Sequence, residues 1–415
     1  MEKHKLTSYQ KRVIALLALI QFTVVLDFMV MAPLGDLMMK SMRLRSTEFA
    51  FAVSAYAFSA GVSGLLAAGF ADKYDRKKLL LFLYTGFTLG TLGCGLAATY
   101  PLLVAARIVT GLFGGVLASV SMAIIADLFS FDQRGRVMGF VQMSFAVSQV
   151  AGIPIGLWLA NAYDWHAPFL LIVGLCVVAT ALCAGGLRPV PPHPDRASAN
   201  AVTHLRRTLG NGHYWLPYAA TALLSIGGFL IMPFSTPFLI NNVGVTQAQL
   251  PVVYVVMGCF SLLMLPLIGR LADRVGKFPT FLGGSLLAML MVAIYTHLTP
   301  MALGYVIAIS VVMFAGVMSR AVPGQALMTA IPAPSDRGAF MSINSSLQQI
   351  AGGIASVIAG WVIVQEPSGR IHHFDTLGWL CIAMMALCIF LMRRIARRVA
   401  QQLAPKPKAV VAETA

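Results

Sequence analysis

Residues 19–34 read LIQFTVVLDFMVMAPL, an apolar run with one charged side chain, Asp27. At 1.5 Å per residue, a helix of about 20 residues crosses the roughly 30 Å core of a bilayer, and the apolar run around this stretch is that long. A lone charged group at mid-membrane costs about 2.5–3.5 kcal/mol. The stretch therefore predicts a membrane-spanning helix whose acid faces protein or water rather than lipid.

Similar apolar runs recur along the 415 residues, of which 58% are hydrophobic and 11% charged, whereas average proteins are about 25% charged. Because backbone N–H and C=O groups find no partners in hydrocarbon, each run is expected to be helical. The sequence predicts an all-α integral membrane protein with twelve transmembrane helices, at residues 13–35, 47–70, 79–99, 101–126, 137–160, 166–187, 214–240, 249–269, 279–298, 301–322, 338–364 and 376–396.

The distribution of the 30 Lys and Arg residues, which give a net charge of +15, predicts the topology. With both termini cytoplasmic, nearly all of them fall on the inner side, as the positive-inside rule requires. The exceptions are Lys40, Arg43, Arg45 and Arg370 in outer loops and Arg107 and Arg320 within helices. The basic excess thus indicates a multi-pass protein of the cell inner (plasma) membrane and not a nucleic-acid partner.

The two halves of the chain repeat each other. GFADKYDRKK at 69–78 resembles GRLADRVGKF at 269–278, with an offset of 201 between their central acids. DQRGR at 132–136 resembles SDRGA at 335–339, and SQVAGI at 148–153 resembles QQIAGG at 348–353 with an offset of 200. Three matches in one order predict a duplicated six-helix bundle. Two such halves that rock about a site between them are typical of secondary transporters.

A Pro-rich and then basic interruption separates the halves. We predict an N-terminal six-helix bundle at 1–187, a cytoplasmic linker at 188–213, a C-terminal six-helix bundle at 214–396 and a cytoplasmic tail at 397–415. Within the linker, THLRRTL either forms a short amphipathic helix on the inner surface or is part of a simple tether.

The loops after helices 2 and 8 carry a family resemblance. Gly69, Asp72, Arg76 and Lys77 resemble the G-x-L-A-D-R-x-G-R-R signature of the major facilitator superfamily. Gly269, Asp273 and Arg274 repeat the signature in the second half. The resemblance covers nearly the whole chain and implies the twelve-helix fold of that superfamily, with two pseudo-symmetric bundles.

Two helices resemble elements of the proton antiporter, drug and metabolite efflux branch. In helix 4, RIVTGLFGG resembles the R-x-x-x-G-x-G element of proton-coupled members and begins with Arg107. In helix 5, AGIPIG is similar to an antiporter element and contains Gly152, Pro154 and Gly156. Proline removes a backbone donor and glycine leaves little to pack, so we expect a bend or a close helix contact there.

The resemblance also implies a conformational latch, because the acid of the superfamily signature leans on helix 11 to close the inner side. A carboxylate there lies near the positive end of a helix from the other half. The predicted latch comprises Gly69, Asp72, Arg76, Lys77, Asp127, Arg134, Gly269, Asp273, Arg274 and Arg337. The alternative is that these are solvated charges that only set the topology.

Asp27 and Arg107 are the central functional candidates. Counted from the outer helix ends, both lie roughly 9–12 Å below the membrane boundary, so we expect them to face one cavity. Burial favours the protonated carboxyl and a neighbouring guanidinium favours the ionised form, which allows Asp27 to load and release a proton and to compete with a cationic substrate. Alternatively, the two residues form a fixed salt bridge that only locks helices 1 and 4.

Helical periodicity adds candidates for the cavity wall. Thr23 and Met31 share a face with Asp27, and polar amides in helices 5 and 11 share faces of their own. The cavity candidates are Thr23, Met31, Tyr56, Gln142, Gln149, Phe229, Phe234, Asn344 and Gln348. No catalytic residue and no metal ligand set are indicated, because no predicted span pairs His, Cys and acid at suitable spacing.

We expect a secondary active transporter that exports a drug-like compound or metabolite by proton-coupled alternating access, and not an enzyme. Its partners are the small-molecule substrate, protons and the lipid bilayer, with no cofactor and the proton gradient as energy source, in a protein that acts as a monomer. Sugar efflux and organic-anion uptake are alternatives within transport. A transporter-like receptor or partner subunit that moves nothing is the alternative of another class.

Overall fold

The computed structural model describes residues 6–70, 74–190, 201–333 and 336–403, and it is almost entirely helical. The first half contains helices α1 (Ser8–Val30), α2 (Gly35–Met42), α3 (Ser46–Phe70), α4 (Arg76–Gly95), α5 (Tyr100–Leu128), α6 (Phe131–Val147), α7 (Ile153–Ala162) and α8 (Ala167–Gly186). The second half contains α9 (Ala201–Gly210), α10 (Trp215–Phe229), α11 (Met232–Phe238), α12 (Leu250–Val275), α13 (Lys277–Thr296), α14 (Leu303–Met328), α15 (Arg337–Val362) and α16 (Phe374–Leu403).

A two-stranded hairpin, β1 (Val364–Gln365) with β2 (Ile371–His372), connects α15 to α16. It lies at the end of the bundle opposite the start of α1 and the linker helix α9. We call the end with the start of α1 and α9 the linker side and the other end the hairpin side. The predicted topology makes the linker side cytoplasmic.

The predicted fold class, an all-α membrane protein, is confirmed. Among the described residues, eleven helical segments are long and apolar enough to cross a membrane. The twelfth predicted span, α15, is 26 residues long, which is sufficient, but its amides make it more polar than the others. Asn344, Gln348 and Gln349 all lie on α15, as expected for a helix enclosed by protein rather than by lipid.

Local sequence signals explain where the helices start. The Thr7 hydroxyl accepts the N–H of Gln10, and the Gln10 amide oxygen accepts the N–H of Thr7, which forms a capping box before α1. Asp75, where the superfamily signature has Gly, is the N-cap of α4 and accepts the N–H of Lys78. Asp75, which replaces the Gly of the signature, thus caps the first turn of α4 and fixes where this helix begins.

Helices 5 and 7 of the predicted twelve are interrupted. Helix 5 consists of α6 and α7 with a π-helical turn at Ser148–Gly152 between them, directly before Pro154. Helix 7 breaks after α10, and Pro233 lies in the first turn of the next segment, α11. The apolar pattern continues through both interruptions, so hydropathy predicted each as a single run.

Glycines bring helices into close contact within and between the halves. Side chains at Gly111 and Gly115 of α5 would collide with the backbone of α3 at Tyr56 and Ala60. A Cβ at Gly258 of α12 would lie 2.8 Å from the Cα of Val150 in the π-helical turn of the other half. The α3–α15 and α7–α12 pairs therefore form the main seam between the halves.

Candidate functional site

Asp27 and Arg107 meet inside the N-terminal half. Arg107 Nη1 on α5 donates to Asp27 Oδ2 on α1 at 2.8 Å, and both side chains are fully buried. The Thr91 hydroxyl on α4 donates to the other carboxylate oxygen at 3.2 Å. An ionised carboxylate held by a guanidinium and a hydroxyl is a compact, nearly neutral unit, which is how a charge is tolerated at this depth.

Tyr56 on α3 completes this site. The Arg107 guanidinium carbon lies 4.6 Å from the centre of the Tyr56 ring, which is the distance of a cation–π contact. Arg107 Nε and Nη2 have no hydrogen-bond partner among the described residues. Breaking the ion pair would therefore leave Arg107 with the Tyr56 ring and three nitrogen donors, Nε, Nη1 and Nη2, without a hydrogen-bond acceptor.

The expectation that Asp27 and Arg107 face an open cavity needs correction. A small cavity between the halves, about 10 Å³ in volume, is lined by Phe28, Val53, Phe229, Pro233, Gln349 and Gly352 among others and by neither charged residue. Contacts connect it to the pair: Phe28 lies 5.4 Å from the Tyr56 ring, which covers Arg107. The pair is enclosed because these aromatic rings close it off.

Among the aromatic wall candidates, only Phe229 lines this cavity. Phe229 packs on Phe28 with ring centroids 5.9 Å apart, across the boundary of the halves. Phe234 is fully buried at the hairpin side, 6.0 Å from Phe49, and so closes the space rather than lining it.

Thr23 and Met31 do not line the cavity although they share a helical face with Asp27. The Thr23 hydroxyl lies 2.8 Å from the Tyr84 hydroxyl, inside the N-terminal half. Met31 follows the last residue of α1 and is fully buried in the core. That face of α1 points into its own bundle and not towards the second half.

The side-chain amides predicted to share a face in helix 5, and those predicted to share one in helix 11, have different surroundings in the structure. Gln149 receives a 3.2 Å hydrogen bond from Ser261 of α12, whereas Gln142 is exposed. Gln149 lies within the π-helical turn and contacts α12, a contact that α-helical spacing alone does not predict. On α15, Asn344 is hydrogen-bonded to the Thr221 hydroxyl inside the C-terminal half. 

The neighbouring glutamines of α15 differ in position. Gln348 is partly buried and makes no hydrogen bond to a described residue, while Gln349 lines the cavity. The seam with α3 fixes this orientation, since Ser346 and Ile350 face Gly61 of α3. The sequence pattern therefore predicted Gln348 for the cavity wall, whereas the next residue, Gln349, lines the cavity.

The helix 5 element makes the predicted close contact. A Cβ at Gly152 would lie 2.7 Å from Leu26 of α1, and one at Gly156 would lie 3.1 Å from Val30. Pro154 occupies the first turn of α7, where its missing N–H needs no partner.

The described first-half residues of the predicted latch bond within the N-terminal half. Arg76 Nε lies 3.3 Å from Asp127 Oδ2, and Lys77 Nζ donates to the Ala184 carbonyl at 2.7 Å. Arg134 donates to the carbonyls of Ala126 and Phe129 at the end of α5. Asp72 lies outside the described residues, as does the Gly69 side-chain environment, although α3 includes position 69.

The second signature copy is exposed in the described part of the structure. Asp273, Arg274 and Arg337 are exposed at the linker side, and none forms a hydrogen bond or ion pair with a described residue. A Cβ at Gly269 would meet no described atom within 4 Å. Within the described residues these three side chains make no contact with the first half, and Asp72, the predicted partner in that half, lies outside the described residues.

Asp336, next to the predicted latch residue Arg337, makes the polar contacts at this end of α15. Its carboxylate receives hydrogen bonds from His204 of α9 at 3.1 Å and from the Tyr214 hydroxyl at 2.8 Å. It is the N-cap residue of α15, where the helix dipole favours an acid. The linker helix is thereby attached to the second half.

Sequence reasoning missed a polar contact between the halves at the hairpin side, which we call the hairpin-side clasp: Asp36, Lys40, Asn241 and Gln247. Asp36 is 1% exposed and accepts from Lys40 at 2.9 Å, Asn241 at 2.6 Å and Gln247 at 2.8 Å. Lys40 Nζ also donates to the Asn241 side chain at 3.0 Å. The signal was present, since Asp36 is one of only two acids near the end of helix 1.

Replacing Asp36 by Ala is expected to open the hairpin side. The change removes two charge-assisted hydrogen bonds between the halves, each worth about 1.5–3 kcal/mol. In a variant without native cysteines, Val53→Cys reports on the cavity beneath the clasp, and its reaction with an impermeant maleimide should accelerate about tenfold or more.

Asp164→Ala is the matched control, because Asp164 is also an acid at the hairpin side but pairs with His166 of its own half. Unchanged reactivity of the cysteine at position 53 in the Asp36→Ala protein would show that the clasp does not hold the halves together.

Comparison with solved structures gives the same architecture. A D-xylose-proton symporter superposes with a TM-score of 0.75 at 16% identity, covering 94% of this chain and 98% of that one. A bacterial homologue of the human lysosomal transporter Spinster, inward-facing and unoccupied, gives a TM-score of 0.74 at 16% identity, with 96% and 99% covered. At such identities the similarity establishes the fold alone.

Sequence comparison identifies the family. The chain is 24% identical over 268 residues to the uncharacterized MFS-type transporter YceJ of Bacillus subtilis, covering 65% of this chain and 68% of the relative. It is 30% identical over 224 residues to the multidrug resistance protein B homolog of Mycobacterium tuberculosis, covering 47% and 41% respectively. The family model "Major Facilitator Superfamily" matches residues 17–323. The chain therefore belongs to the major facilitator superfamily, a family of multi-pass membrane transporters and not of enzymes.

Proposed function

We propose that this transporter exports a small organic molecule in exchange for protons, with Asp27 as the proton carrier. The observation that supports it most is the enclosed Asp27–Arg107 pair, which has one polar hydroxyl contact and no other acid beside it. Such a pair is stable ionised in a dry site, and protonation of Asp27 would remove the attraction that holds Arg107.

The exchange follows from two exclusive states of the site. When Asp27 is ionised, it holds Arg107 and the helices α1, α4 and α5 together. When it is protonated, Arg107 keeps only the Tyr56 ring, and the Phe28–Tyr56 cover next to the central cavity loses its anchor. Cargo that enters the cavity and displaces this cover would therefore favour one protonation state over the other, which is the requirement for coupling.

The setting of this function is part of the proposal. The bias of Lys and Arg towards the linker side supports a cytoplasmic location of both termini, in a cell inner (plasma) membrane. The proton gradient would supply the energy, with no cofactor and no nucleic acid involved, and one chain contains both halves needed for alternating access. Multidrug relatives, the Mycobacterium protein and the multidrug resistance protein fnx1 of Schizosaccharomyces pombe, favour efflux over uptake.

Everted vesicles with an acidic lumen test this function. Addition of a transported cargo should alkalinise the lumen, because each cargo molecule that enters is exchanged for protons that leave. The panel comprises cationic dyes, neutral drugs, sugars and organic anions, and a protonophore is the control that must abolish the response.

Acidification on addition of an organic anion, or a response only to sugars, would replace this proposal by the corresponding alternative. A folded protein that moves none of the compounds under any gradient would favour a receptor or partner subunit.

A further inference from the structure

A second buried guanidinium lies in the C-terminal half, and no acid accompanies it. Arg320 of α14 is 1% exposed, and its Nε and Nη2 atoms have no hydrogen-bond partner among the described residues. The acids of residues 201–403 are Asp273, Asp336, Glu366 and Asp375, which all lie in loops or at helix ends. No ion pair with Arg320 occurs within the described part of the chain.

The sequence repeat shows which positions in the second half correspond to Asp27. The offsets of 200 and 201 residues that relate the halves place Gly227 or Gly228 at the position of Asp27. The local structures are similar, because α1 ends at Val30 and α10 at Phe229, an offset of 199 that matches Asp27 with Ile226, and each helix is followed by a short break and a second helix. Residues 226–228 are Ile, Gly and Gly, so no matching position in the second half has the carboxylate that Asp27 supplies in the first.

Arg320 points at this place. A Cβ at Gly227 would lie 3.2 Å from Arg320 Nη1 and 3.6 Å from Nη2, and the third close atom belongs to Met385 of α16. The Gly227 carbonyl is already used, since the Cys381 thiol donates to it at 3.0 Å. The first half therefore neutralises its buried base internally, whereas in the second half Arg320 packs closely against Gly227 and has no acid partner among the described residues.

A buried charge without a partner is expensive, and a compact anion is the ligand that would offset this cost. We propose that Arg320 and the Gly227 face of α10 form a binding slot for a single negative charge, either the carboxylate of the cargo or a free chloride ion. The cargo assignment rests on the proposed export function; the anion slot itself does not.

The test measures thermal unfolding of the purified full-length protein in a chloride-free buffer. Sodium benzoate supplies a carboxylate, sodium chloride supplies the inorganic anion, and benzamide is the neutral analogue of benzoate. Stabilisation by benzoate but not by chloride or benzamide would support a cargo carboxylate, and stabilisation by chloride would support an inorganic anion. Absence of any response to benzoate and chloride would overturn the proposal.

Two variants connect the response to the slot. Arg320→Gln should weaken the apparent affinity for the active anion about 10- to 100-fold, because it removes a charge-assisted hydrogen bond. Gly227→Asp keeps Arg320 but places a carboxylate beside it, so it should abolish the response while raising the unfolding temperature above that of Gly227→Asn. An undiminished anion response in both Arg320→Gln and Gly227→Asp would show that the anion binds elsewhere.

This measurement separates the slot from the export function, because it requires neither a proton gradient nor transport. A protein that exports cargo with protons but shows no anion response would refute the slot alone. A protein that binds benzoate through Arg320 but shows no cargo-driven proton movement would refute proton-coupled export alone.

Discussion

The Asp27→Asn variant is expected to lose gradient-driven accumulation of cargo. Because it leaves the buried Arg107 without its charged partner, it should also be less stable than the wild type, so transport is compared at equal amounts of folded protein. Asn has nearly the same shape and can still bond Thr91, but it neither ionises nor releases a proton. Across a gradient of two pH units, an exchange of one proton can accumulate a neutral cargo up to about 100-fold, since each unit is worth 1.36 kcal/mol. The accumulation ratio in proteoliposomes should therefore fall from as much as about 100 towards about 1.

Downhill movement of the same cargo should persist in this variant, which distinguishes lost coupling from lost binding. Asp164→Asn is the control, because Asp164 is exposed at the hairpin side and pairs only with His166. An Asp27→Asn protein that still accumulates cargo with unaltered pH dependence would mean that the ion pair has only a structural role.

The Arg107→Met variant is expected to be strongly destabilised, and a second change should restore it. Methionine leaves the Asp27 carboxylate buried with only the Thr91 hydroxyl, and the loss of one partner of a buried ion pair costs about 3–5 kcal/mol. Adding Asp27→Asn removes the unpaired charge, so the double variant should recover most of that stability. Unfolding by denaturant in detergent measures both steps.

Arg188→Met is the matched control for the aromatic contact. The Arg188 guanidinium lies 4.9 Å from the Tyr9 ring, much as Arg107 lies over Tyr56, but Arg188 is exposed and has no ion pair in the described structure. Its replacement should change stability by less than about 1 kcal/mol. A double variant no more stable than Arg107→Met alone would contradict the assignment of the cost to the unpaired carboxylate.

The fold and the central contact were predictable because both depend on strong, local constraints. Apolar runs of spanning length force helices, and the rarity of charges inside them directs attention to Asp27 and Arg107. Their similar distance from the helix ends predicted that they lie at the same depth, since helical rise converts residue number into depth. The contact at 2.8 Å agrees with that estimate.

The details of the cavity were less predictable, because they depend on how the halves are packed. Helical periodicity places Thr23 and Asp27 on one face but does not tell whether that face meets Tyr84 or the other half. Gln149 lies in the π-helical turn and bonds to α12 whereas Gln142 is exposed, and the seam between α3 and α15 selects Gln349 over Gln348. Similarly, the clasp joins Asp36 to Asn241, about 200 residues away, and only the packed halves bring them together.

The most direct test of proton carriage by Asp27 is the release of protons on cargo binding to the purified protein in weakly buffered solution. The wild-type protein should release protons when cargo is added at a pH where transport is coupled, and Asp27→Asn should bind the same cargo with no release. Equal proton release by the two proteins would contradict the assignment of Asp27 as the proton carrier.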